Sequence, residues 1–317
     1  MADILTIFGI TFPIFAMVAI GYGTVAKGVF RPKDMGVLGG WVMNFALPAL
    51  VFGAISSRPI SEVVHPDYMV IYLLTGILTA GMTFLWFSVS TDPSRRGVAM
   101  MISYCPNTGF IGYPMFLILA PDHAGIILAM NFLVENIIFI PLAMMVIDAG
   151  KPQDQRQKNL IRQFAAMLKG LIKRPLIIAI LLGFLISAMG LSLPEPLRHL
   201  IQLIANSASA VALFVIGGSL VGLSFEGNLR LASQAAVGKL LVMPLFAALV
   251  MFVMQRAGIT LDPDFRTAAF VSAALPTMAV AAIFAQEVGR GALASLSILI
   301  NTLGAFITLN LVLLLVV

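Results

Sequence analysis

The chain has 317 residues, 60% of them hydrophobic and only 10% charged, with 19 Lys and Arg against 14 Asp and Glu; soluble domains carry roughly a quarter charged residues. With a mean hydropathy of +1.02, this composition excludes a soluble globular enzyme and reads as an all-α polytopic membrane protein, with the bilayer as solvent for most side chains. An isoelectric point near 9.6 does not point to nucleic acid, because the basic residues lie between apolar segments and form no aromatic-interleaved patch.

Requiring about 20 predominantly apolar residues per crossing predicts ten spans: 4–25, 36–57, 67–89, 97–120, 125–147, 175–192, 198–223, 232–255, 266–286 and 293–317. The first is preceded by no Lys or Arg and followed by no small-residue cleavage site, so it is expected to remain as a span. With the N-terminus outside, 14 basic residues fall on cytoplasmic connections and 4, namely Arg58, Arg198, Arg256 and Arg266, on outside ones. Cytoplasmic loops carry the excess of Lys and Arg, so both termini are expected outside.

The longest connection, 148–174, separates a first repeat (1–147) from a second (175–317). Five spans in each mean that the repeats enter the membrane in opposite directions. Within the linker Leu160, Ile161, Phe164, Met167, Leu168 and Leu171 recur at helical spacing among Arg162, Lys169 and Lys173, which predicts an amphipathic helix on the cytoplasmic surface.

The fourth and ninth spans are each interrupted near the middle by a proline followed by a polar residue, Pro106-Asn107-Thr108 and Pro276-Thr277. Proline removes a backbone donor and clashes with the preceding turn, and in hydrocarbon the freed groups are tolerated only in protein or beside a wet cavity. Paired interrupted helices in inverted repeats point to a secondary transporter's midplane site, where half-helix N-termini favour an anion. The second and seventh spans also correspond: Asn44-Phe-Ala-Leu-Pro48 predicts a further break. The pairs Gly36/Gly40 and Gly218/Gly222 predict close helix packing.

Almost all charged residues fall in connections or at span ends, which isolates Glu135 and Lys239. Glu135, in Asn131-Phe-Leu-Val-Glu135-Asn136, is costly to ionise in hydrocarbon and is by default a functional-site candidate, here a proton carrier. Lys239 is expected to snorkel to the interface, with pairing or substrate steering as the alternative. Asn301-Thr302 occupies in the tenth span the place that Glu135-Asn136 or Asn131 holds in the fifth. His65, His123 and His199 fall in outside connections, and Cys105 is the only cysteine, so neither a disulfide nor a metal site is expected. There is no Walker loop, zinc motif or nucleophile elbow, so no cofactor and no enzymatic activity is expected.

At Asn107-Thr-Gly-Phe-Ile-Gly-Tyr-Pro114, Asn44-Phe-Ala-Leu-Pro48, Lys239-Leu-Leu-Val-Met-Pro244 and Ala274-Leu-Pro-Thr-Met-Ala-Val-Ala-Ala-Ile-Phe-Ala-Gln286, the chain resembles the auxin efflux carrier family. The family includes plant carriers and bacterial malonate and malate permeases. The resemblance implies a ten-helix inverted-repeat fold like that of sodium/proton antiporters and bile-acid symporters. In that fold the fourth and ninth helices cross at Pro106 and Pro276, and a transport domain moves like an elevator against a scaffold. It also implies a substrate site at Asn107, with Glu135 and Asn136 beside it. This chain has Ala210 where the family often has proline, so its seventh helix is expected to be less broken. Glu135 replaces a neutral amide of the plant carriers, so neither an auxin-like substrate nor an uncoupled uniport is implied.

The expected function is therefore secondary transport of a small organic anion, a mono- or dicarboxylate, across a bacterial inner membrane. Its substrate ligands would be Asn107, Thr108, Glu135, Asn136 and Asn301, with Asn44, Asn131 and Lys239 as further candidates. H+ is the expected coupling ion, with Na+ the alternative. A sodium/proton antiporter of the same fold, or a membrane-embedded enzyme or sensor, are the other readings, and a homodimer is left open.

Overall fold

The computed structural model describes residues 4–155, 160–223 and 228–316. Helices α1 (Ile4–Ala26), α2 (Asp34–Ser56), α3 (Pro66–Ser90), α4 (Pro93–Tyr104), α5 (Thr108–Leu119) and α6 (Ala124–Ala149) form the first half. After the linker helix α7 (Leu160–Leu171) come α8 (Pro175–Ala188), α9 (Glu195–Ser219), α10 (Leu229–Arg256), α11 (Pro263–Ala274), α12 (Ala281–Glu287) and α13 (Gly291–Val316). No β-strand occurs among the described residues, only one isolated bridge between Pro106 and Thr277.

Seven helices among the described residues are long and apolar enough to cross a membrane unaided: α1, α2, α3, α6, α9, α10 and α13. The three predicted spans missing from this set differ for identifiable reasons. Segments 97–120 and 266–286 are each two short helices around an extended break, and 175–192 contributes only the 14-residue α8. Helix α7 meets α8 at a 66° bend; its Phe164, Met167 and Leu168 are less exposed than Ala165, Ala166 and Lys169. Arg156 and Lys158 of the linker lie outside the described residues. The seventh predicted span is the unbroken helix α9, running straight through Ala210.

The break predicted at Pro48 does not occur. The helix instead widens into one π-helical turn, Val42–Ala46, and continues. The same device recurs three times: Thr108–Gly112 precedes Pro114, Glu135–Phe139 precedes Pro141, and Gly238–Val242 precedes Pro244. Proline cannot bond the carbonyl four residues back and its ring crowds it. Those carbonyls belong to Asn44, Phe110, Ile137 and Leu240, the middle residue of each widened turn. One extra residue per turn relieves the clash without breaking the helix.

Two groups of helices are visible in the packing. Helices α1, α2, α8 and α9 pack on one another, and α3 to α6 pack with α10 to α13; the groups meet where α2 touches α6, α1 touches α13 and α9 touches α5. Asp92 caps the start of α4, its carboxylate accepting from the Ser94 and Arg95 amides at 3.0 and 3.1 Å. Burial pushes this carboxyl up, but those bonds, the Ser94 hydroxyl and the charges of Arg95 and Arg290 outweigh it and hold it below the ordinary carboxylate range.

Glycine sets the closest approach, between α1 and α9. A Cβ at Gly217 would lie 1.8 Å from the Val18 carbonyl oxygen, and one at Gly21 would lie 2.1 Å from that of Phe214. Of the predicted small-residue pairs only Gly218 is packed tightly, against Met35; Gly36 and Gly222 face open space. Gly217→Val must therefore push two helices apart. The expected result is loss of the monodisperse peak on size-exclusion chromatography in detergent, whereas Gly36→Val leaves it in place.

Candidate substrate site

The two interrupted segments cross at their prolines. Helix α4 ends at Tyr104, and Cys105 is extended; α11 ends at Ala274, and Leu275 is extended. The Asn107 amide donates to the Pro276 carbonyl at 2.8 Å, and the Met278 amide donates to the Cys105 carbonyl at 3.0 Å. This is one unit of antiparallel pairing with Pro106 and Thr277 opposite each other. Both occupy the position that exchanges no backbone bonds with its partner, so the missing proline donor costs nothing there. The Thr277 hydroxyl adds a bond to the Cys105 carbonyl at 3.3 Å. Pro106, Asn107, Thr108, Pro276 and Thr277 are all buried.

Asn107 also starts α5. Its side-chain oxygen accepts from the Phe110 amide at 3.3 Å, and its carbonyl accepts from the Ile111 and Gly112 amides at 3.1 and 3.0 Å. A side-chain cap of this kind satisfies one of the open donors of a helix start, and the positive end of the helix dipole lies there.

Two tyrosines of α3 join this start to α6. Tyr72 donates to a Glu135 carboxylate oxygen at 2.7 Å, and the Thr108 hydroxyl donates to the same oxygen. One turn away Tyr68 donates to the Asn131 amide oxygen at 2.7 Å, and the Asn131 amide nitrogen donates to Ser272 of α11 at 2.8 Å. Tyr68 and Tyr72 are four residues apart, as are Asn131 and Glu135, so the pairs stack on facing sides of two helices. Asn136 donates to the Phe132 carbonyl at 2.9 Å and accepts from the Arg174 guanidinium.

Lys239 does not snorkel. It is fully buried, and its ammonium donates to the Ala273 carbonyl at 2.6 Å and to the Met243 sulfur at 3.1 Å. Ala273 lies at the C-terminal end of α11, where carbonyls lack helical partners and carry the negative end of the dipole. That partner is adjacent, and the widened turn at Gly238–Val242 delivers the side chain to it.

Other predicted ligands are placed differently. Asn44 is exposed and donates to the Gly40 carbonyl of its own helix at 2.8 Å. Asn301 is buried in α13; its nitrogen donates to the Ser297 carbonyl at 2.9 Å, while its oxygen has no partner among the described residues. Thus Asn107, Thr108, Glu135 and Asn136 form one connected group, Asn131 joins it through α3, and Lys239 caps the adjoining half-helix. The sequence reading missed Tyr68, Tyr72 and Arg174. The tyrosines carried a signal, two hydroxyls on one face of an apolar helix.

A crossing of unwound backbone, buried inside membrane-length apolar helices and surrounded by a carboxyl, a lysine and amides, is the architecture of a polytopic membrane transporter. The chain matches the family described as Membrane transport protein over residues 6–313 and belongs to it; this is the auxin efflux carrier family that its motifs resemble. It is 26% identical over 309 residues to the "Putative malonate transporter" of Rhizobium meliloti, covering 93% of this chain and 91% of that protein. It is 24% identical over 244 residues to the "Uncharacterized transporter YfdV" of Escherichia coli K12, covering 75% and 76%. The "Lysosomal cholesterol signaling protein" of Mus musculus is 24% identical over 297 residues, 86% of this chain and 33% of the mouse protein.

Proposed function

We propose that this membrane protein is a secondary active transporter of a small organic anion, a mono- or dicarboxylate, coupled to protons through Glu135. The observation that carries the reading is the start of α5 at the crossing, where Asn107 caps a helix N-terminus whose next residue, Thr108, bonds Glu135. A helix start attracts an anion, and the amides of Asn107 and Asn136 supply donors. The unpartnered oxygen of Asn301 keeps that residue a candidate ligand, although it lies apart in α13.

Charge explains the coupling. Lys239 and an ionised Glu135 cancel each other, so an incoming carboxylate gains nothing from the lysine. A proton on Glu135 leaves the lysine charge uncompensated. Anion and proton therefore strengthen each other's binding, and by linkage the effect is reciprocal. In this reading the ten predicted segments form two inverted five-span repeats in a bacterial inner membrane, with both termini outside. The group α1, α2, α8 and α9 is the scaffold, and the remaining helices carry the site past it.

The test is uptake of radiolabelled malonate, malate and acetate into proteoliposomes against protein-free vesicles, under an imposed pH gradient. Accumulation of at least one carboxylate is expected. No uptake of any of them, combined with sodium-dependent recovery of a quenched pH dye, would replace anion transport with sodium/proton exchange. Within the same assay Asn107→Ala should lower uptake at least tenfold, while the lost cap costs only about 1 kcal/mol of stability. Parent-like uptake by this variant would remove the crossing from the site.

A further inference from the structure

Read from sequence, Arg174 is one of the linker's basic residues and serves only orientation. Its position in the fold is different. It precedes Pro175 at the start of α8 and donates from its guanidinium to Asn136. Asn136 lies 12 residues from the first residue of α6 and 13 from the last, which is about 18 to 20 Å from either end at 1.5 Å per residue. The guanidinium therefore reaches the middle of a membrane-length helix.

The length of α8 explains how. Fourteen residues span about 21 Å, short of the roughly 30 Å hydrocarbon layer. The far end of α8 is tied level with the end of α2 by the Ser187 hydroxyl, which donates to the Arg58 carbonyl at 2.7 Å. The near end of α8 therefore falls short of the level a full-length span would reach; Arg174 there is itself exposed, with its guanidinium on the buried Asn136.

A guanidinium is always charged and presents a planar fork that fits a carboxylate with two parallel bonds. Here no carboxylate is paired with it among the described residues; a neutral amide oxygen holds it. Charged groups at membrane depth are retained for a partner or a function.

We propose that Arg174 is a substrate ligand that binds one carboxylate of a dicarboxylate, the other lying at the helix start capped by Asn107. This rests on the anion-transport reading above. A continuous string of contacts joins the two positions: Thr108 follows Asn107 and bonds Glu135, Asn136 follows Glu135, and Asn136 holds Arg174. The charges also match. With Glu135 protonated, Lys239 and Arg174 supply two positive charges for a dianion, whereas a monocarboxylate leaves one of them uncompensated. Asn136 then acts as the resting partner of the guanidinium and gives it up when substrate enters.

The experiment compares malonate with propionate, which has the same three carbons and one carboxylate fewer, by thermal shift of the purified full chain in detergent. The parent should bind malonate at least tenfold more tightly than propionate. Arg174→Gln should lose at least tenfold in malonate affinity and keep its propionate affinity, erasing the preference. Arg174→Lys, which keeps the charge without the fork, should be intermediate, and it serves as the test if the glutamine variant does not fold. A parent-like malonate preference in the variant measured overturns the proposal and leaves anion transport standing. If neither acid, nor malate, nor acetate stabilises the parent, the anion reading falls and this one with it.

Discussion

Lys239→Met is expected to reduce malonate uptake about thirty-fold while the protein still purifies as a folded species. Methionine has a similar length and fits a site already lined by Met243. Removing the ammonium leaves the Ala273 carbonyl without its donor, a cost of about 1 to 3 kcal/mol. It also removes a charge that was expensive to bury, and exchanging buried ionic groups for apolar ones is often neutral or stabilising. The net change in melting temperature should therefore be small. The effect on an anion is not: one unit charge acting across about 8 Å at an effective dielectric of 20 is worth about 2 kcal/mol. Uptake by proteoliposomes and the melting temperature, measured on the same preparation, separate the two. Loss of folded protein with undiminished specific uptake in the surviving fraction would show that Lys239 only holds α10 to α11.

Glu135→Gln should erase the response to a pH gradient. Its oxygen can still accept from Tyr72 and Thr108, so the packing of α3, α5 and α6 is kept. What is lost is the proton. For a one-proton symporter each unit of pH gradient can drive up to about tenfold accumulation, since 1.4 kcal/mol is a factor of ten. The parent should therefore take up malonate faster and further with the outside acidic. The glutamine variant should equilibrate malonate at one rate and to one level with or without the gradient. Gradient-driven accumulation by the variant would end the role of Glu135 in coupling.

Much of this site was legible because hydrocarbon makes exceptions conspicuous. Pro106 and Pro276 stood out as helix breakers followed by polar residues, and both lie at the crossing. Glu135 stood out as a carboxyl in an apolar run. Where the reading erred, the same residue types had two physical outcomes. Pro48 looked like Pro106, but a widened turn absorbs it; Pro106 has an antiparallel partner to accept its extended neighbours, and Pro48 has none. Lys239 lies within reach of the interface in sequence, and only the fold brings the end of α11 closer. Arg174 looked like a loop residue because the short length of α8 cannot be seen in a hydropathy run that continues to residue 192. Gly217 was passed over for its neighbour Gly218, since spacing alone does not say which glycine faces α1.

The reciprocal pairing at the crossing also bears on how the protein is made. The Cys105 carbonyl and the Asn107 amide find their backbone partners in Met278 and Pro276, and Thr277 lies 172 residues further along the chain than Cys105. At about 5 to 20 residues per second of synthesis, a nascent first half waits roughly 10 to 30 s before those partners exist. During that interval its interrupted segment cannot settle in lipid with its backbone satisfied. It must be sheltered by the insertion machinery or stay near water until the second half arrives, which makes completion of the crossing a late step of biogenesis.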